Sequence, residues 1–132
     1  MAGPEKPLCI LVVDDERIIA DTLALIFRQR GFETHAAYSG EEAVGAAAAC
    51  TPDVFLSDIH MTGMNGIEAA IVIADRFPLC RILLFSGHPG ANELLAKARQ
   101  DGHKFEALPK PVHPQTIIDW IAGSARERTT GV

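Results

Sequence analysis

Five short apolar runs recur along the chain, and each is followed by a segment with the periodicity of a helix. A buried parallel strand typically reads as such a run, about four to eight residues long. The predicted strands cover residues 8–13, 33–37, 53–57, 81–85 and 104–108. Strands that alternate with helices through short connections form a parallel sheet with helices on both faces. The sequence therefore predicts an α/β fold, a doubly wound sheet of five parallel strands with five helices.

The predicted helices have recognisable ends. Gly31 is a natural C-terminal cap for the first helix, and Gly102 ends the fourth. Ser39 and Glu42 have the spacing of a capping box, with Ser39 as the N-cap of the second helix. Pro114 fits the first turn of the fifth helix.

Length and composition favour one globular domain. The chain has 132 residues, of which 48% are hydrophobic and 22% charged, and this is ordinary for a globular protein with a sizeable core. We expect residues 8–122 to form the domain, with an N-terminal extension over residues 1–7. Residues 123–132 read as a polar, frayed tail.

Hydropathy, charge and cysteine content exclude several function classes. No apolar run approaches the roughly 20 residues of a membrane span, and the start lacks a signal peptide, so we expect a cytoplasmic protein. The net charge is −5 and no basic stripe is visible, which argues against direct nucleic-acid binding. Cys9, Cys50 and Cys80 form no Cys-x-x-Cys motif, so we expect reduced thiols in or near the core.

Polar residues follow four of the predicted strands, at the point where each strand ends. Asp14 and Asp15 follow the first strand, Asp58 the third, Ser86 the fourth, and Lys110 lies just past the fifth. Open α/β sheets keep their sites outside the carboxyl ends of the strands. One edge of the sheet would then hold three carboxylates, a hydroxyl and an amine, which together can hold a divalent cation and a phosphoryl group.

The carboxylates suggest both a metal and a nucleophile. Crowded carboxylates repel one another, and oxygen-only ligands favour Mg²⁺ or Mn²⁺. An aspartate can attack phosphorus to give an acyl phosphate, and such transfer needs positioning and charge neutralisation. Each residue also has a structural alternative: Asp14 and Asp15 as helix caps, Lys110 as an exposed loop lysine and Ser86 as a turn serine.

At these residues the chain resembles the receiver domain of two-component response regulators. The segments that carry the resemblance are Val12-Val13-Asp14-Asp15-Glu16, Leu56-Ser57-Asp58-Ile59-His60-Met61, Gly63-Met64-Asn65-Gly66-Ile67-Glu68, Phe85-Ser86-Gly87 and Leu108-Pro109-Lys110-Pro111. Their order and spacing agree with the family over about residues 8–122. The resemblance implies a flavodoxin-like receiver fold, here of the stand-alone type, because only a short polar tail follows the last helix.

The resemblance also implies a metal site. Asp15 and Asp58 would ligate Mg²⁺ together with the backbone carbonyl of His60, and Mn²⁺ can substitute for it. Asp14 would act mainly through a bound water.

For the phosphoryl group, the resemblance makes Asp58 the acceptor from a phosphohistidine on a sensor histidine kinase or a histidine phosphotransfer protein. Lys110 would pair with Asp58 and then with the phosphoryl group, and Ser86 would bond a phosphoryl oxygen. The Lys110–Pro111 bond is often cis in this family. The protein would signal by binding an unknown downstream protein or by relay, and would assist only its own phosphorylation and dephosphorylation.

The chain departs from the family at a few positions. Thr62 replaces a usual proline in the loop after the phosphoacceptor. Ala107 replaces the usual Tyr or Phe whose ring swings inward on activation, and Phe105 lies two residues, or about 7 Å, away on the predicted strand. We hypothesise that switching runs through the loop after Ser86, or through an unusual output surface.

His60 and His88 each lie two residues past a site residue. In the family these positions line the mouth of the site and tune the rates of phosphorylation and hydrolysis. The alternative is a pair of exposed loop histidines without a role in the chemistry.

Two other functions compete with the phosphoacceptor switch. A phosphatase with an aspartyl nucleophile would place that nucleophile at the first strand, typically in Asp-x-Asp, whereas Asp14 and Asp15 are adjacent. The second is a phosphate-independent interaction module, with which Ala107 is consistent. The presence of all three aspartates together with Ser86 and Lys110 argues against it.

Overall fold

A computed structural model describes the backbone of residues 6–130 and the side chains of residues 6–123. The strands are β1 (Cys9–Val13), β2 (Glu33–Ala37), β3 (Val54–Asp58), β4 (Arg81–Ser86) and β5 (Glu106–Pro109). The helices are α1 (Arg17–Gln29), α2 (Gly40–Cys50), α3 (Gly66–Arg76), α4 (Ala91–Gln100) and α5 (Pro114–Thr130). The strands pair in parallel in the order β2-β1-β3-β4-β5, which confirms the predicted doubly wound fold.

The central strands β1 and β3 are buried over their whole length, because helices cover both faces of the sheet. Val13 at the end of β1 lies opposite Ala37 of β2 and Ser57 of β3. This register brings Asp14, the residue after β1, next to Asp58, the last residue of β3. The sheet therefore sets the position of both carboxylates.

Alternate residues of the central strands contribute to two separate cores. Leu11 and Phe55 pack with helices α2, α3 and α4 on one face, and Ile10 and Leu56 pack with α1 and α5 on the other. All four side chains are completely buried. Each such burial stabilises the fold by about 1.5–3 kcal/mol, so both faces hold the carboxyl edge of the sheet in place.

The predicted helix ends are largely confirmed. Ser39 caps α2, because its Oγ accepts a hydrogen bond from the backbone N–H of Glu42 at 3.0 Å. The reciprocal bond of a capping box, from the backbone of Ser39 to the Glu42 carboxylate, is not formed among the described residues. Gly31 and Gly102 follow α1 and α4 with a φ of +94° each, a conformation that favours glycine.

Two element boundaries differ from the sequence predictions by more than one residue. Strand β5 begins at Glu106 rather than at residue 104, because its pairing with β4 starts where Leu83 lies opposite Glu106. Helix α5 continues to Thr130, past the point where a frayed tail was expected. Its last turns contain alanine, arginine and glutamate, which are good helix formers. Within the described chain, no helix has the length and apolar character needed to cross a membrane.

The three cysteines carry free thiols, as predicted. Cys9 is buried in the sheet, whereas Cys50 and Cys80 are partly buried. Burial raises the pKa of the Cys80 thiol to about 12. A thiol with so high a pKa is a poor nucleophile at neutral pH.

Candidate functional site

Three carboxylates meet at the carboxyl edge of the sheet, where the sequence predicted them. Asp14 and Asp58 are 2% and 5% exposed, whereas Asp15 is exposed to solvent. One carboxylate oxygen from each of the three residues lies within 4.8 Å of the other two. Buried carboxylates this close together repel, so the arrangement needs positive charge to be stable.

Lys110 supplies part of that charge. Its Nζ donates hydrogen bonds to Asp58 Oδ2 at 3.1 Å and to Asp14 Oδ2 at 3.2 Å. Burial by itself lowers the pKa of Lys110, but the bonds to Asp58 and Asp14 outweigh it and the pKa is raised. The Lys110–Pro111 peptide bond is cis, and the Lys110 N–H donates to the backbone carbonyl of Ser86 at 2.9 Å. The ammonium is therefore held between the two buried carboxylates.

The remaining oxygens show which carboxylates can take a metal ion. Asp14 Oδ1 accepts a hydrogen bond from the backbone N–H of Glu16 at 2.9 Å, so both of its oxygens are already engaged. Asp58 Oδ1 is buried and has no hydrogen-bond partner among the described residues. A buried, unpartnered carboxylate oxygen beside Asp15 suits a hard divalent cation such as Mg²⁺, which prefers oxygen ligands. The donor set fits the metal that the sequence predicted.

The backbone beneath Asp58 is closely packed against the start of α3. A Cβ atom on Gly66 would lie 2.1 Å from the Asp58 carbonyl oxygen, so only glycine fits there. Asn65 and Glu68 form a complete capping box at this helix, with bonds of 2.8 and 2.9 Å. This box was not among the helix ends predicted from the sequence, although an asparagine three residues before a glutamate signals one. The box and Gly66 fix the loop that follows the carboxylate.

Two histidines lie at the mouth of the site, where the sequence predicted them. The rings of His60 and His88 have their centroids 4.6 Å apart and are tilted by 57°. Both line a cleft of about 850 Å³ together with Asp15, Asp58 and Lys110. The Nδ1 atom of His60 is buried without a partner among the described residues. The two imidazoles therefore lie in the same cleft as the Asp58 carboxylate.

Ser86 is the one predicted site residue that does not line this cleft. Its neighbours Phe85 and Gly87 do line it, and Phe85 lies opposite Asp58 in the sheet. Side chains alternate between the two faces of a strand, so Ser86 belongs to the face of Leu84, where α3 and α4 pack. Its hydroxyl is thus near the edge of the site but not directed into it by the strand.

Phe105 and Ala107 pack against the same core as α3 and α4. Phe105 lies just before β5 rather than within it, and its ring stacks on His103 with centroids 6.0 Å apart. Alanine at position 107 presents no aromatic ring to this surface.

The fold agrees with the comparisons with known proteins. The sequence matches the response regulator receiver domain family over residues 10–122. It is 35% identical over 109 residues to a response regulator receiver protein of Anaeromyxobacter, covering 83% of this chain and 45% of that protein. The chain spans between 21% and 53% of the length of the curated relatives that it matches.

Solved structures show the same architecture. A CheY-like receiver domain protein of Methanospirillum hungatei superposes with a TM-score of 0.82 at 20% identity, over 96% of this chain and 100% of that one. A response regulator of Burkholderia pseudomallei, solved with a phosphorylated aspartic acid, a calcium ion and citrate, superposes with a TM-score of 0.74 at 28% identity. That match covers 84% of this chain and 64% of the other. The chain belongs to the receiver domain family of two-component response regulators.

Proposed function

We propose that the protein is a phosphoacceptor switch of a two-component phosphorelay, with Asp58 as the acceptor. The observation that carries this proposal is the set of partners that the two Asp58 carboxylate oxygens have. One oxygen is bonded to Lys110, and the other is buried without a partner beside Asp15. Such a carboxylate is positioned as a nucleophile with positive charge already at its side.

In the transfer step, an oxygen of Asp58 attacks the phosphorus of a phosphohistidine in line with the bond that breaks. The phosphorus–nitrogen bond breaks, and the donor imidazole keeps the electron pair and takes a proton from solvent. The Lys110 ammonium donates a hydrogen bond to the Asp58 carboxylate. After transfer it would pair with the phosphoryl group, so it would neutralise the negative charge both before and after the step.

Mg²⁺ would be held by Asp15, Asp58 and the backbone carbonyl of His60, with Asp14 acting through a water. When bound, the ion supplies positive charge at the phosphoryl oxygens. The engagement of both Asp14 oxygens with Lys110 and Glu16 supports an indirect role for Asp14. The phosphorylated aspartic acid and calcium ion of the Burkholderia pseudomallei regulator support the same chemistry by similarity.

For output, we propose that the Ser86 hydroxyl bonds a phosphoryl oxygen and that the following loop moves with it. The loop is exposed from Gly87 to Gly90, and nothing bulky on Ala107 blocks its inward movement. Structures with and without a phosphate mimic test this. An inward rotation of Phe105 with no change in the loop would refute it.

The partners that this function requires are a sensor histidine kinase or a histidine phosphotransfer protein, and a downstream protein that distinguishes the two states. We place the switch in the cytoplasm, where such kinases present their phosphohistidine. The protein would catalyse only its own phosphorylation and dephosphorylation. The proposed receiver unit is residues 8–122.

The first experiment is intact-mass measurement after incubation with Mg²⁺ and a small phosphodonor. We expect one phosphoryl group on the wild type and none on Asp58→Asn or in the presence of a chelator. Addition to Asp58→Asn would overturn the choice of acceptor. No addition with any donor would favour the phosphate-independent module, and turnover of phosphate esters would favour the phosphatase.

A further inference from the structure

A second cluster of ligating side chains lies at the opposite end of the sheet, at the amino ends of β1 and β2. Cys9 opens β1 and lies opposite Glu33, which opens β2. His35 is two residues further along β2, on the same face of the sheet. Cys50 is the last residue of α2, the helix that packs over this face. Residues far apart in the sequence thus converge on one point.

The geometry of the cluster approaches that of a metal site. One ligand atom from each of Cys9, His35 and Cys50 lies within 4.8 Å of the other two. A tetrahedral zinc ion with Zn–S bonds of about 2.3 Å and Zn–N bonds of about 2.0 Å needs its ligand atoms roughly 3.3–3.8 Å apart. The ligand atoms would therefore have to move closer by at most about 1.5 Å to bind the ion.

We propose that Cys9, Cys50 and His35 form a binding site for a thiophilic divalent metal ion, namely Zn²⁺. Two thiolates and an imidazole are ligands that select zinc over Mg²⁺, so the site is chemically distinct from the carboxylate site around Asp58. The His35 side chain is 45% exposed, which leaves a path for the ion and room for a water as the fourth ligand.

The backbone and a neighbouring carboxylate hold the ligands in place. The Cys9 N–H donates to Asp53 Oδ2 at 2.8 Å, which fixes the start of β1 beneath the cluster. Glu33 Oε2 lies 3.2 Å from Nε2 of His35. Histidines that ligate metals commonly have such a carboxylate beside the ring, where it fixes the orientation of the imidazole.

The charges of the cluster would also be balanced by a cation. Burial, and next the neighbouring Cys50 and Glu33, raise the pKa of the Cys9 thiol, because a thiolate there would face other negative charge. Burial likewise raises the pKa of Cys50. Zinc binding displaces one proton from each thiol to solvent, with no change of oxidation state, and the positive charge of the ion stabilises the thiolates that result.

The test uses the full chain, reduced and freed of metal, and titrated with Co²⁺ and then with Zn²⁺. Cobalt bound to thiolates gives an intense charge-transfer absorption that carboxylate-bound cobalt does not, so the readout is specific to this site. We expect the thiolate band to report one Co²⁺ at this site per chain, and to disappear when one Zn²⁺ displaces it. The signal should be lost in Cys50→Ala and in His35→Ala.

Three variants serve as controls. Cys80→Ala removes the thiol outside the cluster, and Asp58→Asn alters the other metal site, so both should keep the signal. Glu33→Gln should weaken zinc binding by about 10- to 100-fold, as loss of an orienting carboxylate does. Circular dichroism of each variant shows whether it has folded.

Two results would overturn the proposal. One is the absence of a thiolate-to-cobalt band in the folded wild type, or its survival in Cys50→Ala. The other is a Cys9–Cys50 disulfide that forms in air while the reduced chain binds no zinc, since the pair would then be a redox couple rather than a metal site. Neither result bears on phosphorylation of Asp58.

Discussion

Replacing Gly66 by alanine should destabilise the protein, although alanine is the better helix former. Gly66 is the first residue of α3. A Cβ atom there would lie 2.1 Å from the carbonyl oxygen of Asp58, 2.9 Å from its carbonyl carbon and 3.0 Å from Cα of Ile59. These are backbone atoms beneath the phosphoacceptor, so the chain itself has to move. Forcing a methyl group into a packed region typically costs about 1–3 kcal/mol.

Gly45→Ala is the matched control. Gly45 lies inside α2, and a Cβ atom there meets nothing within 4 Å. This substitution should stabilise the fold by about 0.5–1 kcal/mol, because glycine loses more backbone entropy than alanine when a helix forms. The two Gly→Ala changes should therefore differ by about 1.5–4 kcal/mol.

Urea unfolding followed by circular dichroism measures both changes in the free energy of unfolding. Mg²⁺ titrations of the folded proteins should also show weaker binding for Gly66→Ala alone, because the Asp58 backbone is displaced. If Gly66→Ala is as stable as Gly45→Ala, the close approach of α3 to Asp58 is not a constraint and the reasoning is refuted.

The remaining predictions concern Lys110, Cys80 and the two histidines of the cleft. Lys110→Ala should lower the free energy of unfolding, measured in urea, by about 3 kcal/mol, because it leaves the buried Asp58 carboxylate without its cation. A change below about 0.5 kcal/mol, typical of a surface site, would contradict this. The pKa of Lys110 is raised above 10.5 in the folded protein. Its contribution to the free energy of unfolding is therefore fully present below pH 10.5 and is lost as the pH rises through the folded-state pKa. Burial raises the pKa of Cys80 from 9.0 to about 12, so alkylation near neutral pH should be about a thousandfold slower than in urea, and equal rates would show an exposed thiol. The lifetime of the phosphoryl group should change in the His60→Ala, His88→Ala double variant, because both rings line the cleft that holds Asp58; an unchanged lifetime would exclude the histidines from the chemistry.

The sheet and its carboxyl edge could be predicted because their signals are local. Continuous apolar runs mark buried strands, and Asp14 and Asp58 directly follow or end the two central ones. Because β1 and β3 pair in parallel, these two carboxylates lie at the same edge of the sheet. Lys110 follows the last strand in the same way, and the structure places it between the two carboxylates.

Other features depend on tertiary contacts that no local pattern contains. Whether the Ser86 side chain faces the cleft depends on the face of the sheet on which the cleft opens. The cleft is lined by residues of α1 and α5, whereas Ser86 belongs by alternation to the face of Leu84, where α3 and α4 pack. The start of β5 depends on which residues of the neighbouring strand β4 are available for pairing. The cluster of Cys9, His35 and Cys50 requires knowing that α2 ends above the start of β1.

The central claim is that Asp58, rather than a neighbouring carboxylate, carries the phosphoryl group. Borohydride reduces an aspartyl phosphate to homoserine, and peptide mass spectrometry then locates the converted residue. After phosphorylation in the presence of Mg²⁺, we expect homoserine at position 58 alone. Homoserine at position 14 or 15, or a phosphoryl group retained on a histidine, would contradict the account.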